Sequence, residues 1–397
     1  FPSSWVKDMS GMSGNDSCHF WLPKKNRHCK HKVENDEENF CPLHLSVESG
    51  SGRKRISCPL DGNHTVYEDQ LQKHMKKCPA GKILKQQQSQ VFYASEINSF
   101  PVRHITADNT DLSESELVAR VVKWWKTTKY STQLPSYDSD GKEKHQIQLD
   151  AIVDVIKSTQ EMDYPVVGVE LGAGKGTLSA ALHTENPSWY HLLVDIQKNF
   201  RNKAERKLFE SEADEEKFKR IHINIADLLL DKAIEDQFRD LAPNPSIVLY
   251  AKHLCGHALD LGLNCVANSS SNISLIAFAT CCHHRCKWDQ YCNTTYLEEI
   301  LGSCSPQEFA SICSMTSWSS SRNKTNYNAH AKEDGSYWSK EEIGTMCKFL
   351  LDEGRVRFLE AAGFTTTRII EYVPHQVTPE NRLLLTVNKP DMNSNLK

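Results

Sequence analysis

The sequence predicts an α/β chain in which a mostly parallel, seven-stranded sheet follows two small metal-stapled modules. Three observations carry this. From residue 162 onward, seven apolar runs (165–171, 189–195, 219–225, 246–251, 273–280, 366–373 and 382–387) alternate with helical stretches. In the first five this is the grammar of parallel strands joined by crossovers, and the last two are close enough in sequence to pair as a hairpin. The first run breaks into Gly172, Gly174 and Gly176 ahead of a small-residue helical pattern, giving strand, glycine turn and helix N-terminus in succession. In the first eighty residues, cysteines are grouped with histidines.

The chain has 397 residues, room for one large domain and smaller modules. A net charge of −4 and a hydrophobic content of 39% exclude a globally basic nucleic-acid binder. No run approaches a membrane span, and no signal-peptide pattern opens the chain. The start on Phe1 reads as trimmed. The fourteen cysteines suit zinc in a reducing compartment better than a disulfide scaffold, so cytoplasm or nucleus is expected.

Residues 1–17 are polar and read as disordered. In 18–45, Cys18, Cys29, Cys41 and His44 form a Cys3His set closed by a tight C-x-x-H, with His19, His28 and His31 as spare donors. So short a segment has too few large apolar residues to fold without metal. After a Ser/Gly/Arg linker, 56–80 offers Cys58, His64, His74 and Cys78. His74 and Cys78 are spaced i, i+4 on one face of a helix-compatible stretch. Two zinc ions are therefore expected. Residues 18–85 hold thirteen Lys/Arg against eight Asp/Glu, a local +5. An arm that grips phosphates follows, with Lys24, Lys25, Arg53, Lys54 and Arg55 as its candidate contacts. Residues 81–160 read as linker and helices: a capped helix before LVARVVKWWK, whose Trp124 and Trp125 are assigned to packing, and an amphipathic HQIQLDAIVDVIKSTQEM. The catalytic domain is expected over 161–390.

The glycine turn discriminates among ligands. A phosphate-cradling loop needs Gly where Val169 stands and Ser or Thr where Gly176 stands; a dinucleotide fingerprint needs Gly at Thr177. What fits is acidic-x-Gly-x-Gly-x-Gly over Glu170–Gly176. That pattern resembles the first motif of class I, Rossmann-like S-adenosylmethionine-dependent methyltransferases. Asp195, ending the second run, is placed to take both ribose hydroxyls of that cofactor, and Asn224 and Asp227 follow the third run, where an acceptor for the adenine amino group is expected.

Ligands of open α/β sheets sit at the carboxyl ends of the strands. The fourth run leads into AKHLCGHALDLGLNC and the fifth into TCCHHRCKW, crowding Lys252, His253, Cys255, His257, Asp260, Cys281, Cys282, His283, His284, Arg285 and Cys286 onto that side. Three readings of Cys281–Cys286 stay open: a third metal site, a methyl-accepting nucleophile, or small buried residues around a catalytic loop. The last is the default, because neighbours i and i+1 seldom converge on one ion and no second half is evident in the sequence.

Cys3His and Cys-His-His-Cys modules ahead of VELGAGKG, KHLCGHALDL, CCHHRCKW and MTSW (Met315–Trp318) resemble the Trm13 family of tRNA 2′-O-methyltransferases over nearly the whole chain. The resemblance implies methyl transfer from S-adenosylmethionine to the ribose 2′-hydroxyl at position 4 of the tRNA acceptor stem, with tRNA as partner and neither membrane nor obligate protein partner. Asn224 departs from the acidic residue common there in the family. The polar stretch 310–345 is expected to be a flexible insertion. For the chemistry, Lys252 is the first candidate for base or alcohol-orienting group, with His253, His283 and His284 as alternatives, and Arg285 is a candidate for holding a flanking phosphate.

Overall fold

The computed structural model describes residues 18–22, 27–33, 39–41, 44, 55–101, 112–128, 143–159, 165–197, 216–320, 326–332 and 335–388. It divides into two compact units, Phe1–Gln87 and Gln88–Lys397. Lys24, Lys25, Arg53 and Lys54 and the expected disorder of 1–17 lie outside the described residues.

The first unit contains two antiparallel hairpins, β1 (Trp21–Leu22) with β2 (Arg27–His28) and β3 (Arg55–Cys58) with β4 (Asp61–Tyr67). Helices α1 (Leu71–Met75) and α2 (Pro79–Gln88) follow. The second unit continues with α3 (Glu114–Thr127), α4 (Lys144–Ser158), β5 (Val166–Leu171), α5 (Thr177–Glu185), β6 (Tyr190–Asp195) and β7 (Phe218–His222). Then come α6 (Leu230–Gln237), β8 (Ser246–Ala251), α7 (His257–Ala267), β9 (Ile273–Thr280), α8 (Thr294–Leu301), α9 (Pro306–Thr316), β10 (Asn326–Ala331), β11 (Tyr337–Ser339), α10 (Lys340–Ala361), β12 (Arg368–Glu371) and β13 (Arg382–Val387).

The sheet has seven strands in the order β12-β13-β9-β8-β5-β6-β7. Pairs among β9, β8, β5, β6 and β7 are parallel, and β13 inserts antiparallel between β9 and β12. Every residue of β5, β8 and β9 is buried, which is why these strands read as unbroken apolar runs: helices cover both faces of a parallel sheet. One face packs with Phe92, α6 and α7, the other with α4 and α5.

Two parts of the second unit differ from the sequence expectation. Residues 88–160, read as linker and helices, are packed into this unit: residues 92–100 form a strap hydrogen-bonded to the 226–229 segment beyond β7, and α3 and α4 are core helices. Leu117, Val118 and Val121 of α3 share one cluster with Ile343, Leu350 and Leu351 of α10; Trp125 packs on Phe349 at 5.3 Å between ring centroids, which bears out the packing role of the tryptophans. The stretch 310–345 is not wholly a flexible insertion: the end of α9, the hairpin of β10 and β11 and the start of α10 fall in it, with Trp318, Tyr327 and Trp338 packed on the α3–α10 cluster. Among the described residues no helix is long and apolar enough to cross a membrane.

Candidate active site and metal centres

In the first module, backbone bonds from Cys18 N to His31 O and from Cys29 N to Phe20 O (both 2.8 Å) draw two cysteines together, and His44 N to Cys41 O closes the C-x-x-H turn. His44 Nδ1 then lies 3.3 Å from Cys18 Sγ and 3.4 Å from Cys41 Sγ, with Phe20 stacked on its ring. In the second, Cys58 ends β3, His64 sits on β4, His74 on α1 and Cys78 one turn later. Cys58 Sγ is 3.2 Å from His74 Nε2 and 3.8 Å from Cys78 Sγ, and the two imidazole Nε2 atoms are 3.1 Å apart. A tetrahedral zinc with normal bond lengths requires edges of about 3.3 Å for N···N, 3.5 Å for S···N and 3.8 Å for S···S. Both donor sets therefore fit the ion, all four ligand atoms of each lying within 4.8 Å of one another. Asp61 faces His64 Nδ1 at 3.2 Å, the outer-shell carboxylate that turns Nε2 toward a metal. Of the spare donors, His31 lies 3.3 Å from Cys29 Sγ, while His28 Nδ1 contacts the His19 carbonyl oxygen. Arg55 is committed to its own hairpin: it donates to Thr65 Oγ1 and O at 3.1 and 2.9 Å and lies over Tyr67.

In the second unit the turn after β5 is left-handed at Gly172, Gly174 and Gly176 (φ 66°, 51° and 72°), a conformation that side chains disfavour. A Cβ at Gly174 would meet nothing within 4 Å, so the turn faces open space. Asp195 shapes it: Oδ2 accepts from Gly174 N and Oδ1 from Gln197 N, both at 2.7 Å. These residues fit an S-adenosylmethionine cradle, a backbone open to close approach beside a carboxylate at the end of β6. Glu170 has a different part from the one its motif position suggests. It is buried and accepts from Ser179 N and Oγ at 3.1 and 2.6 Å, bracing the first turn of α5 from beneath.

The residues expected at the adenine make contacts within the protein. Asn224 Oδ1 accepts from Ala226 N, capping a short 3-10 turn, and Asp227 Oδ1 accepts from Glu96 N at 2.7 Å. Asp227 thus holds the strap, helped by Asn98, whose Nδ2 donates to the Ile225 and Leu228 carbonyl oxygens. Burial, as the largest cause, raises the Asp227 pKa.

Beyond β8 the chain passes close over the glycine turn: a Cβ at Gly172 would meet Leu254 Cδ1 at 3.2 Å. This brings Lys252 and His253 beside the cradle. Lys252 is half-buried and its Nζ donates to the His145 carbonyl oxygen at 2.9 Å. Burial lowers its pKa, against the opposing fields of Glu170 and Asp150. His253 is exposed and edge-on to His145; partial desolvation, then Lys252 and His145, lower its pKa too. His284 and Arg285 are exposed. Gly256 (φ 61°) lets the two loops meet, since a Cβ there would strike Arg285 Cβ at 2.7 Å.

His283 is not presented to this space. It is fully buried, with Nε2 2.7 Å from Asp352 Oδ1, inside a network that sequence reasoning missed. Arg355 grips Asp260 through Nε (3.1 Å) and Nη2 (2.8 Å), reaches Asp352 at 3.1 Å and donates to Cys286 Sγ. Arg382 pairs with Asp352 at 3.3 Å. Two arginines and two aspartates balance, so the charges tolerate burial. Cys286 accordingly belongs to the scaffold. Cys281 and Cys282 instead approach Cys255, the second half that the sequence did not reveal. Hydrogen bonding from Cys281 is the largest cause pulling the Cys255 thiol down to about 6, while burial is the largest cause raising Cys282 to about 11. The signal available earlier was adjacency: β8 and β9 are parallel neighbours, so their C-terminal loops had to meet.

One cavity of about 360 Å³ is lined by Asp231, Phe238, Pro245, Ile247 and Asn272, at the amino ends of β8 and β9. It lies at the end of the sheet opposite the glycine turn, whereas ligands of such sheets bind at the carboxyl ends of the strands.

Residues 147–387 match the family model described as Methyltransferase TRM13. Residues 16–45 match a CCCH zinc finger in TRM13 protein, and 55–79 a U11-48K-like CHHC zinc finger. The chain is 27% identical to the Homo sapiens protein named tRNA:m(4)X modification enzyme TRM13 homolog, over 94% of this chain and 95% of that one. It is 29% identical to the Schizosaccharomyces pombe tRNA:m(4)X modification enzyme TRM13, over 85% of this chain and 96% of that one. Among solved structures, the methyltransferase domain of bacterial CtHen1-C aligns at 12% identity and a TM-score of 0.33, over 62% of this chain and 98% of that one.

Proposed function

The chain belongs to the TRM13 methyltransferase family, and on that premise we propose that it methylates the ribose 2′-hydroxyl of the nucleotide at position 4 of the tRNA acceptor stem. The observation that supports the reading is the closeness of the His253–Leu254 backbone to the glycine turn, which makes the neighbouring Lys252 a candidate proton acceptor for that side of the sheet.

S-adenosylmethionine, when bound, supplies an electrophilic sulfonium methyl group. The protein's task is to align a weak alcohol nucleophile with it and to take its proton. The open glycine turn and the Asp195 carboxylate would hold the cofactor, Asp195 as the candidate acceptor for its ribose hydroxyls. Lys252, held by the His145 carbonyl and depressed in pKa by burial, accepts the 2′-hydroxyl proton at Nζ; His253 is the alternative acceptor. Arg285, exposed at the same edge, holds a neighbouring phosphate. Lys24, Lys25, Arg53 and Lys54 of the basic arm grip further phosphates. Arg55 serves its hairpin first. An A-form stem displays its 2′-hydroxyls in a wide minor groove, so position along the stem, more than base identity, selects the target.

The test is to incubate unmodified total tRNA with the protein and S-adenosylmethionine and to map ribose methylation by resistance to alkaline cleavage. A new block at acceptor-stem position 4, absent with Lys252→Ala, is expected; methylation of a base, or no transfer to tRNA, overturns the reading. Charge reversal of Lys24, Lys25, Arg53 and Lys54 should weaken tRNA binding and flatten its salt dependence, by about 0.9 in log–log slope for each phosphate no longer neutralised.

A further inference from the structure

We propose that Cys255, Cys281 and Cys282 form a third metal centre, a three-thiolate site for zinc beside the cofactor cradle and separate from both fingers. The proposal does not depend on the tRNA reading. The three Sγ atoms lie within 4.8 Å of one another, the same closeness found in each finger. Cys255 Sγ and Cys281 Sγ are 3.5 Å apart, too far for a disulfide at about 2.05 Å. They are close to the S···S edge of about 3.8 Å of a tetrahedral zinc thiolate, and to the 3.8 Å between Cys58 and Cys78.

The backbone is arranged to bring these thiols together. Gly256, directly after Cys255, permits the loop beyond β8 to lie against the Arg285 backbone, and Gly256 N approaches the Cys281 carbonyl at 3.5 Å. Cys282 is one of only three non-glycine residues with positive φ among the described residues (53°), a conformation that costs energy and places its thiol on the side of Cys255 and Cys281 rather than leaving alternation to separate them. The surroundings carry both signs of charge: the Arg285 guanidinium acts on Cys255, and a carboxylate opposes it. Glu380, whose charge acts on all three thiols, bonds Lys348 through Oε1 but leaves its buried Oε2 without a hydrogen bond; 3.9 Å away, the buried Nδ1 of His283 also lacks one.

Thiolates select soft or borderline ions, and zinc requires no redox partner. Three protein ligands leave one coordination position. Cys255 and Cys282 are only partly buried, so that position is within reach of an exchangeable fourth ligand.

The test is metal stoichiometry on the intact, reduced chain after zinc loading and removal of excess ion. Three zinc ions per chain are expected, falling to two in Cys255→Ser and in Cys282→Ser, while Cys58→Ser removes one ion independently of these. Cobalt(II) loading of the unaltered protein supplies a measurement that needs no variant. A third equivalent should add thiolate-to-cobalt charge-transfer absorption that Cys255→Ser lacks and both finger sites retain. Two ions per chain, a third ion unaffected by either serine variant, or a Cys255–Cys281 disulfide recovered by peptide mass mapping from protein prepared under reductant would each overturn the assignment.

Discussion

Arg355 lies across Asp260 with Nη2 2.8 Å from one carboxylate oxygen and Nε 3.1 Å from the other, both side chains at 0% exposure. This pair ties the helix of the KHLCG loop to α10, while Asp352 and His283 tie α10 to the CCHHRC loop. The two loops to which the chemistry is proposed to belong are therefore positioned from behind by one charge-balanced cluster. Arg355→Ala should destabilise the catalytic unit by about 3–5 kcal/mol, because it strands a buried carboxylate. Urea denaturation measures this; a loss below about 1 kcal/mol would mean that the cluster is solvated in solution.

Gly174→Asp should abolish S-adenosylmethionine binding in a folded protein. The new side chain has room, since no atom lies within 4 Å, and Asp tolerates left-handed backbone, so the cost falls on the ligand instead of the fold. Asp195→Ala removes a charged hydrogen-bond acceptor and should weaken binding by about 1.5–3 kcal/mol. Calorimetry on both variants, paired with thermal melts, separates cofactor loss from unfolding.

Lys252→Ala should slow the single-turnover step by about 10²–10⁴-fold with tRNA and cofactor affinities nearly unchanged. Lys252→Arg should not rescue it, since guanidinium does not give up its proton. The pH profile separates the candidates. A lysine base gives a rate that keeps rising above neutrality toward a folded pKa below 10.5, whereas the depressed His253 gives a limb whose midpoint lies below about pH 6.5.

His191 predicts how stability responds to mild acid. It is fully buried in β6, 3.0 Å from the Tyr250 hydroxyl and stacked on Phe218, and burial, with His183 and Lys217 adding to it, holds its pKa well below the ordinary value. In the window between that folded value and about 6.5, the unfolded chain binds a proton that the folded chain does not. Stability from this group is therefore complete above about pH 6.5 and declines as pH falls through the window. His191→Gln should reduce the slope there by up to about 1.4 kcal/mol per pH unit, read from denaturation midpoints between pH 7 and pH 5. An unchanged slope would place the proton uptake on other residues.

The strands and fingers were legible because their signals are local. A strand buried on both faces must be apolar at every position, as in SIVLYA and ISLIAFAT, and a zinc ligand set announces itself by spacing. What sequence could not settle was the direction of a charged side chain. Asp227 and His283 stand where ligand-facing residues are expected, yet each is claimed by a partner far along the chain, Glu96 at 131 residues and Asp352 at 69. The meeting of Cys255 with Cys281 and Cys282 follows from strand order, not spacing. The polar 326–339 hairpin was obscured because Trp318, Tyr327 and Trp338 act through packing on helices distant in sequence.

The long reach of these contacts sets a timetable for synthesis. Each finger is complete when its last ligand leaves the ribosome, 26 residues after Cys18 in one and 20 after Cys58 in the other. The strap must wait for Asp227, and the start of α3, where Leu112 N donates to the Glu308 carboxylate, waits through 196 residues. At about 5–20 residues per second that interval is about 10–40 s. The nascent chain thus passes through a stage with a finished metal-binding arm and an unpartnered apolar helix. Zinc supply is the first requirement the emerging protein meets, and protection of Leu117, Val118 and Val121 from misassociation is the longest.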